Sequence, residues 1–121
     1  MYEQHWPWQF GKLAQAVAVL ATGMGNVRER VWAATEYLNA LHPEMVPPSC
    51  REDLEWIQKA LTKYPADASY KSAMEATYHR TRNVTAAKIA QRIWRMYHQF
   101  QSELNLPAAE RAKMCTSPAE P

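Results

Sequence analysis

Residues 84–104 read VTAAKIAQRIWRMYHQFQSEL. Within them Ile89, Ile93, Tyr97, Phe100 and Leu104 follow at steps of four, four, three and four, the return period of one buried helix face. The stretch predicts a long amphipathic helix, and its apolar stripe needs partners. Just upstream, Tyr70, Met74 and Tyr78 keep helical spacing over Ser69 to about Arg82. Asn83 is placed to cap the long helix separately. Met74, Tyr78, Thr81, Thr85 and Ile89 also hold phase across the join, so one helix or two remain open over 69–104.

The partners read in the same way. Ser49 and Glu52 have capping-box spacing ahead of a stripe of Leu54, Ile57, Leu61 and Tyr64, and Pro65 stops that helix. Glu52, Asp53 and Glu55 near its start and Lys59 and Lys63 near its end suit the helix dipole. Asn26 and Glu29 repeat the capping box before Val27, Val31, Ala34, Leu38 and Leu41, and Pro43, Pro47 and Pro48 end that segment. Phe10, Leu13, Val17, Leu20 and Met24 mark a first helix from about Trp8 to Ala21, with Gly23 in the place of a left-handed C-cap. The fold expected is all-α: an antiparallel bundle of four to five helices over residues 1–106, followed by a disordered tail over 107–121.

Composition agrees with one small helical domain. The chain has 121 residues, of which 47% are apolar, enough to bury a core. Gly11, Gly23 and Gly25 are the three glycines, too few for a turn-rich β-fold or a glycine-rich phosphate loop. Cys50 and Cys115 stand far apart and outside any C-x-x-C pair, so both read as reduced thiols. No leader pattern is visible, and the most apolar run, Leu13 to Ala21, is too short to span a bilayer. A cytoplasmic protein without membrane contact is the expectation. His5, His42, His79 and His98 do not cluster, and Glu75 with His79 misses the Glu-x-x-His spacing of metal-bridged bundles. No metal and no cofactor are expected.

Charge and tryptophan supply the candidate sites. The formal net charge of +2 names no partner, but its distribution is uneven. Between Ala76 and Ser102 there is no acidic residue and there are five cations, Arg80, Arg82, Lys88, Arg92 and Arg95. Lys88, Arg92 and Arg95 fall at i, i+4 and i+7, so they share one helix face. Such a row can track phosphates of a nucleic acid or meet an acidic protein. It also fits a solvated face, or one paired with the acidic start of the Leu54 helix. Arg28 and Arg30 lie in the first turn after Asn26, where cations oppose the dipole, a weaker pointer to an anion. Five tryptophans is a high count for this length. Trp32, Trp56 and Trp94 each sit roughly 100–140° off the main stripe of their helix, so each needs a second contact, in another groove of the bundle or at a protein interface.

Arg92 and His98, with five residues between them, resemble the R-x(4–6)-H motif of the HEPN helical-bundle ribonucleases. The resemblance implies metal-free RNA cleavage by Arg and His facing each other across two protomers. Ile93 departs from the polar residue usual after the Arg. The expectation for the whole chain is a non-enzymatic helical interaction and assembly module working through protein contacts or self-association. A nucleic-acid-backbone binder is the alternative, and a HEPN-like ribonuclease ranks third.

Overall fold

In a computed structural model, residues 2–106 are described, and all their regular structure is helical. Six α-helices follow a 3-10 turn at Tyr2–His5: α1 Trp6–Thr22, α2 Val27–Ala33, α3 Thr35–Leu38, α4 Pro48–Leu61, α5 Ala73–Arg80 and α6 Asn83–Leu104. A further 3-10 turn covers Pro43–Met45. The tail expected over 107–121, with Cys115, lies outside the described residues. No described helix is long and apolar enough to cross a membrane.

The long helix is where its periodicity put it, and α1, α2 and α4 pack around it. Ala86, Ile89, Ile93, Met96 and Phe100 are buried along its inner face. Two neighbours run antiparallel to it. Ser49 at the start of α4 reaches Glu103, whereas Asp53 further along reaches Arg92 and Arg95. The start of α1 likewise meets the end of α6, with Trp6 edge-on to Phe100 and Phe10 stacked on Tyr97.

Several local expectations give way to tertiary contacts. α1 begins at Trp6, because Pro7 fits a first helical turn and Trp6 is 1% exposed in the core. Its buried line is Trp6, Gln9, Leu13 and Ala16, and Phe10, Val17 and Leu20 flank it. Gln9 is tolerated inside because its side-chain oxygen accepts the His42 N–H at 2.9 Å. Met24 stands beyond the helix and is 92% exposed. Gly23 is extended, at φ −68°, and the left-handed residue is Gly25, at φ 92°. Gly25 turns the chain into the Asn26–Glu29 capping box, which forms as read.

The second segment breaks at Ala34. The Ala34 N–H is shared between Arg30 and Val31 carbonyls, and the Thr35 hydroxyl bonds the Trp32 carbonyl at 2.6 Å, competing with the helical ladder. Ser49 does not cap α4, which starts at Pro48 without a side-chain cap; its hydroxyl donates to the Glu103 carboxylate instead. α5 is shorter than the Ser69–Arg82 reading and is capped by Ser72. Residues 69–104 are two helices, because Thr81 and Arg82 are extended between them. Asn83 opens α6 without capping it; its Oδ1 accepts the Arg28 N–H at the start of α2.

The Leu61 and Ile93 side chains are fully buried. Leu61→Ala and Ile93→Ala should each lower unfolding free energy by about 2–5 kcal/mol, read from urea denaturation with helicity followed by circular dichroism. Glu103 offers a second test. It is 2% exposed, and burial pushes its carboxyl above the usual range, with the Gln99 amide acting the other way. The native state therefore binds this proton more tightly than the unfolded chain does. Its contribution to stability falls as pH rises from the ordinary value of 4.5 toward the raised one, and is level below and above that window. Glu103→Gln should flatten this slope when urea midpoints are compared between about pH 4 and about pH 8.

Candidate functional site

The basic row of α6 is divided by one carboxylate. Asp53, 7% exposed in the second turn of α4, accepts from Arg95 Nη2 at 2.5 Å and from Arg92 Nη1 at 3.3 Å through the same oxygen. The Arg92 guanidinium also lies over the Trp56 ring, 4.5 Å from its centroid. These contacts make Arg92 and Arg95 part of the α4–α6 joint, and the Asp53 hydrogen bond holds the Arg95 guanidinium charged even more firmly than usual. Lys88 projects into solvent from the same face. Arg80 pairs with Asp67 at 2.8 Å, and both Arg80 and Arg82 are exposed at the surface. Hydrogen bonds from the Ser69 and Tyr70 backbone hold the Asp67 carboxyl below the usual range, with Arg80 adding to this. The five cations thus separate into a joint, a solvated lysine and a pair beside the α5–α6 break.

Arg28 and Arg30 serve helix ends other than their own. Arg30 Nη1 donates to the Leu20 carbonyl at 2.9 Å, near the end of α1, where a cation complements the dipole. Arg28 Nη1 donates to the Thr81 carbonyl at 3.4 Å, and its guanidinium covers the Tyr78 ring at 4.6 Å. The dipole mismatch within α2 is offset by neighbouring carbonyls.

The three tryptophans go to three places. Trp32 fills the groove between α2 and α5, half-buried, with its indole N–H donating to the Met74 carbonyl at 3.1 Å and its ring edge-on to Tyr78. Trp56, 39% exposed, lies under Arg92. Trp94 is 52% exposed on the opposite flank of α6 from Arg92. It stacks on Tyr97 with centroids 5.8 Å apart, and Tyr97 stacks on Phe10 of α1 at 5.2 Å, both pairs 19° from parallel. His98 closes the row edge-on to Trp94 at 4.2 Å. Spacing along α6 shows Trp94, Tyr97 and His98 as neighbours, but only the docking of α1 adds Phe10.

Arg92 and His98 do not converge within one chain. Asp53 and Trp56 hold the arginine on one flank, and Trp94 holds the histidine on the other. Burial pushes the Cys50 thiol up to about 12, with Glu103 and Asp53 acting in the same direction, so it carries almost no thiolate at neutral pH. Among the described residues no three of His, Cys, Asp and Glu come close enough to hold a metal ion.

Asp53 is nearly buried while the Arg95 side chain is 62% exposed, so their removal should differ. Asp53→Asn removes the negative charge that the two guanidinium groups share and leaves only a neutral amide oxygen to accept from them. Arg95→Gln leaves Asp53 still bonded to Arg92. The urea midpoint should fall more for Asp53→Asn than for Arg95→Gln; midpoints that both equal that of the wild type would show that the joint contributes nothing.

Compared with protein-family models, curated proteins and solved structures, the chain matches none, so its functional reading rests on its own geometry and chemistry.

Proposed function

We propose that this chain is a small non-enzymatic interaction and assembly module acting through protein contacts, with a second copy of itself as the partner. The observation that carries the reading is the Trp94 ring, 52% exposed yet held in a stacked row with Tyr97 and Phe10. An indole fixed by stacking loses little freedom on binding, which is what a pre-organised contact requires. The row carries no formal charge up to His98, so two copies can lay it face to face about a two-fold axis without like-charge repulsion.

The magnitudes describe a weak dimer. Burying the open half of a tryptophan ring removes about 100 Å² from water, about 2–3 kcal/mol at about 25 cal/mol per Å². Two such rings give about 4–6 kcal/mol, near the lower end of the roughly 4–15 kcal/mol that association costs. Surrounding contacts must supply the rest, and monomer and dimer exchange. The separation of Trp32, Trp56 and Trp94 into different grooves leaves this reading on Trp94 rather than on a three-ring patch. A dimer through this row brings His98 toward the partner and keeps Arg92 on the far flank, which favours binding over the HEPN-like alternative. For the nucleic-acid alternative, Asp53 offsets one of the two charges of Arg92 and Arg95 and ties both to α4, which weakens the basic row without erasing it.

Light scattering over a concentration series decides the matter. The weight-average mass of the wild type should rise above that of one chain as concentration increases, and Trp94→Ala should abolish the rise with its helicity kept. Trp8→Ala, which removes another exposed ring about 160° round α1 from Phe10, should leave the rise intact. A wild type that stays monomeric throughout would overturn self-association.

A further inference from the structure

The end of α4 and the α5–α6 break enclose a cleft of about 610 Å³, within the size range of small-ligand sites. Four cations line it, Lys59 and Lys63 from the α4 side and Arg80 and Arg82 from the break, together with the aromatic rings of Trp56 and Tyr64. Among the described residues no acidic one lines it. Among the described residues, Asp67 is the one carboxylate in bridging distance of any of the four, and it takes Arg80. The dipole at the end of α4 supplies only about half a negative charge. About two and a half positive charges are therefore left on exposed side chains around the cleft, a local excess that favours an anion there.

The walls are fixed. The Tyr64 N–H donates to the buried Thr77 hydroxyl at 2.9 Å, which ties the chain after α4 to α5. Arg80 and Lys63 both lie beside the Tyr64 ring, 5.4 and 5.5 Å from its centroid. Trp56 presents to the cleft an indole already held by Arg92. Cations alone would suit any anion. Cations interleaved with partly open aromatic rings suit an anion that carries a flat ring of its own.

We propose that this cleft binds a nucleotide unit, with Lys59, Lys63, Arg80 and Arg82 around the phosphate and the base stacked against Trp56. The same chemistry comes from a free nucleotide or from one residue of a single strand. The site shares no residue with the Trp94 row, so it stands or falls apart from self-association.

Thymidine monophosphate by calorimetry and a fluorescein-labelled oligothymidylate by anisotropy distinguish the two sources, with inorganic phosphate as the probe lacking a base. Binding of the monophosphate marks a pocket for free nucleotide. Binding of the oligonucleotide alone marks a strand site, and its affinity should fall steeply between about 50 and about 200 mM salt. Lys63→Gln with Arg82→Gln should weaken the bound probe about tenfold or more and, for the strand, lower the salt slope by about two phosphate contacts. Lys12→Gln with Arg51→Gln removes equal charge away from the cleft and should change affinity less than about threefold. Trp56→Leu, with helicity checked, should weaken base-bearing probes at least about fivefold and leave phosphate binding unchanged. Absence of binding to both nucleotide probes at about 50 mM salt would overturn the proposal. So would an equal loss in the Lys12/Arg51 control, which would reduce the attraction to net charge, or an unchanged nucleotide affinity in Trp56→Leu.

Discussion

The apolar stripe of α6, from Ala86 to Phe100, is the surface on which α1, α2 and α4 bury their own stripes. Each of those helices is shorter than α6, and α2 has only seven residues. Isolated helices of such length are marginal in water, so their order comes from this shared burial. Each large aliphatic or aromatic side chain removed from water contributes about 1.5–3 kcal/mol, and α6 supplies such side chains to three neighbours at once. The remaining elements adjust to that central helix. α1 extends backward to bring Trp6 onto Phe100, and the second segment bends at Ala34.

Beside the local caps of α2 and α5, several helix ends are satisfied by residues from other helices. Arg30 of α2 reaches the end of α1, Asn83 of α6 receives the start of α2, and Arg28 holds the carbonyl at the α5–α6 break. Ser49 leaves its own helix start for Glu103, and Asp53 leaves the α4 dipole for two arginines. Such cross-linking fixes how the helices sit together more than it stabilises any one of them. It also engages Arg28, Arg30 and Arg92 within the bundle, while Arg95 shares Asp53 and keeps a side chain that is 62% exposed.

What stays open lies on the two flanks of α6. One carries Trp94, Tyr97 and His98 beside Phe10 and has almost no charge. The other leads past Arg92 and Trp56 to the cationic cleft. The two surfaces differ in chemistry as well as position, since one offers area and the other offers charge with rings. A small bundle that builds its core on a single long helix has both flanks of that helix to use.

The all-α class, the buried face and the end of the long helix, the Asn26–Glu29 cap and the Leu54, Ile57 and Leu61 stripe were legible in the sequence, because each depends on residues within one or two turns of each other. The position of Trp94 off the apolar stripe was legible for the same reason, as was the concentration of cations after Ala76; that Trp94 stays exposed while Trp32 is half-buried was not. The partners of those cations were not, because Asp53 is 39 positions from Arg92 and Asn83 is 55 from Arg28. Local patterns also misplaced Ser49 and Asn83, whose side chains suit a cap but found partners across the bundle. The α5–α6 break fell between two consistent phases, and Thr81 and Arg82 adopt extended backbone where Arg28 binds the freed carbonyl. The sequence by itself determined which segments are helices and which of their faces are apolar, since periodicity is a property of a single helix. Only the tertiary structure decided which charges are used up and which remain to form a site, since that depends on what the packing of α6 brings within reach.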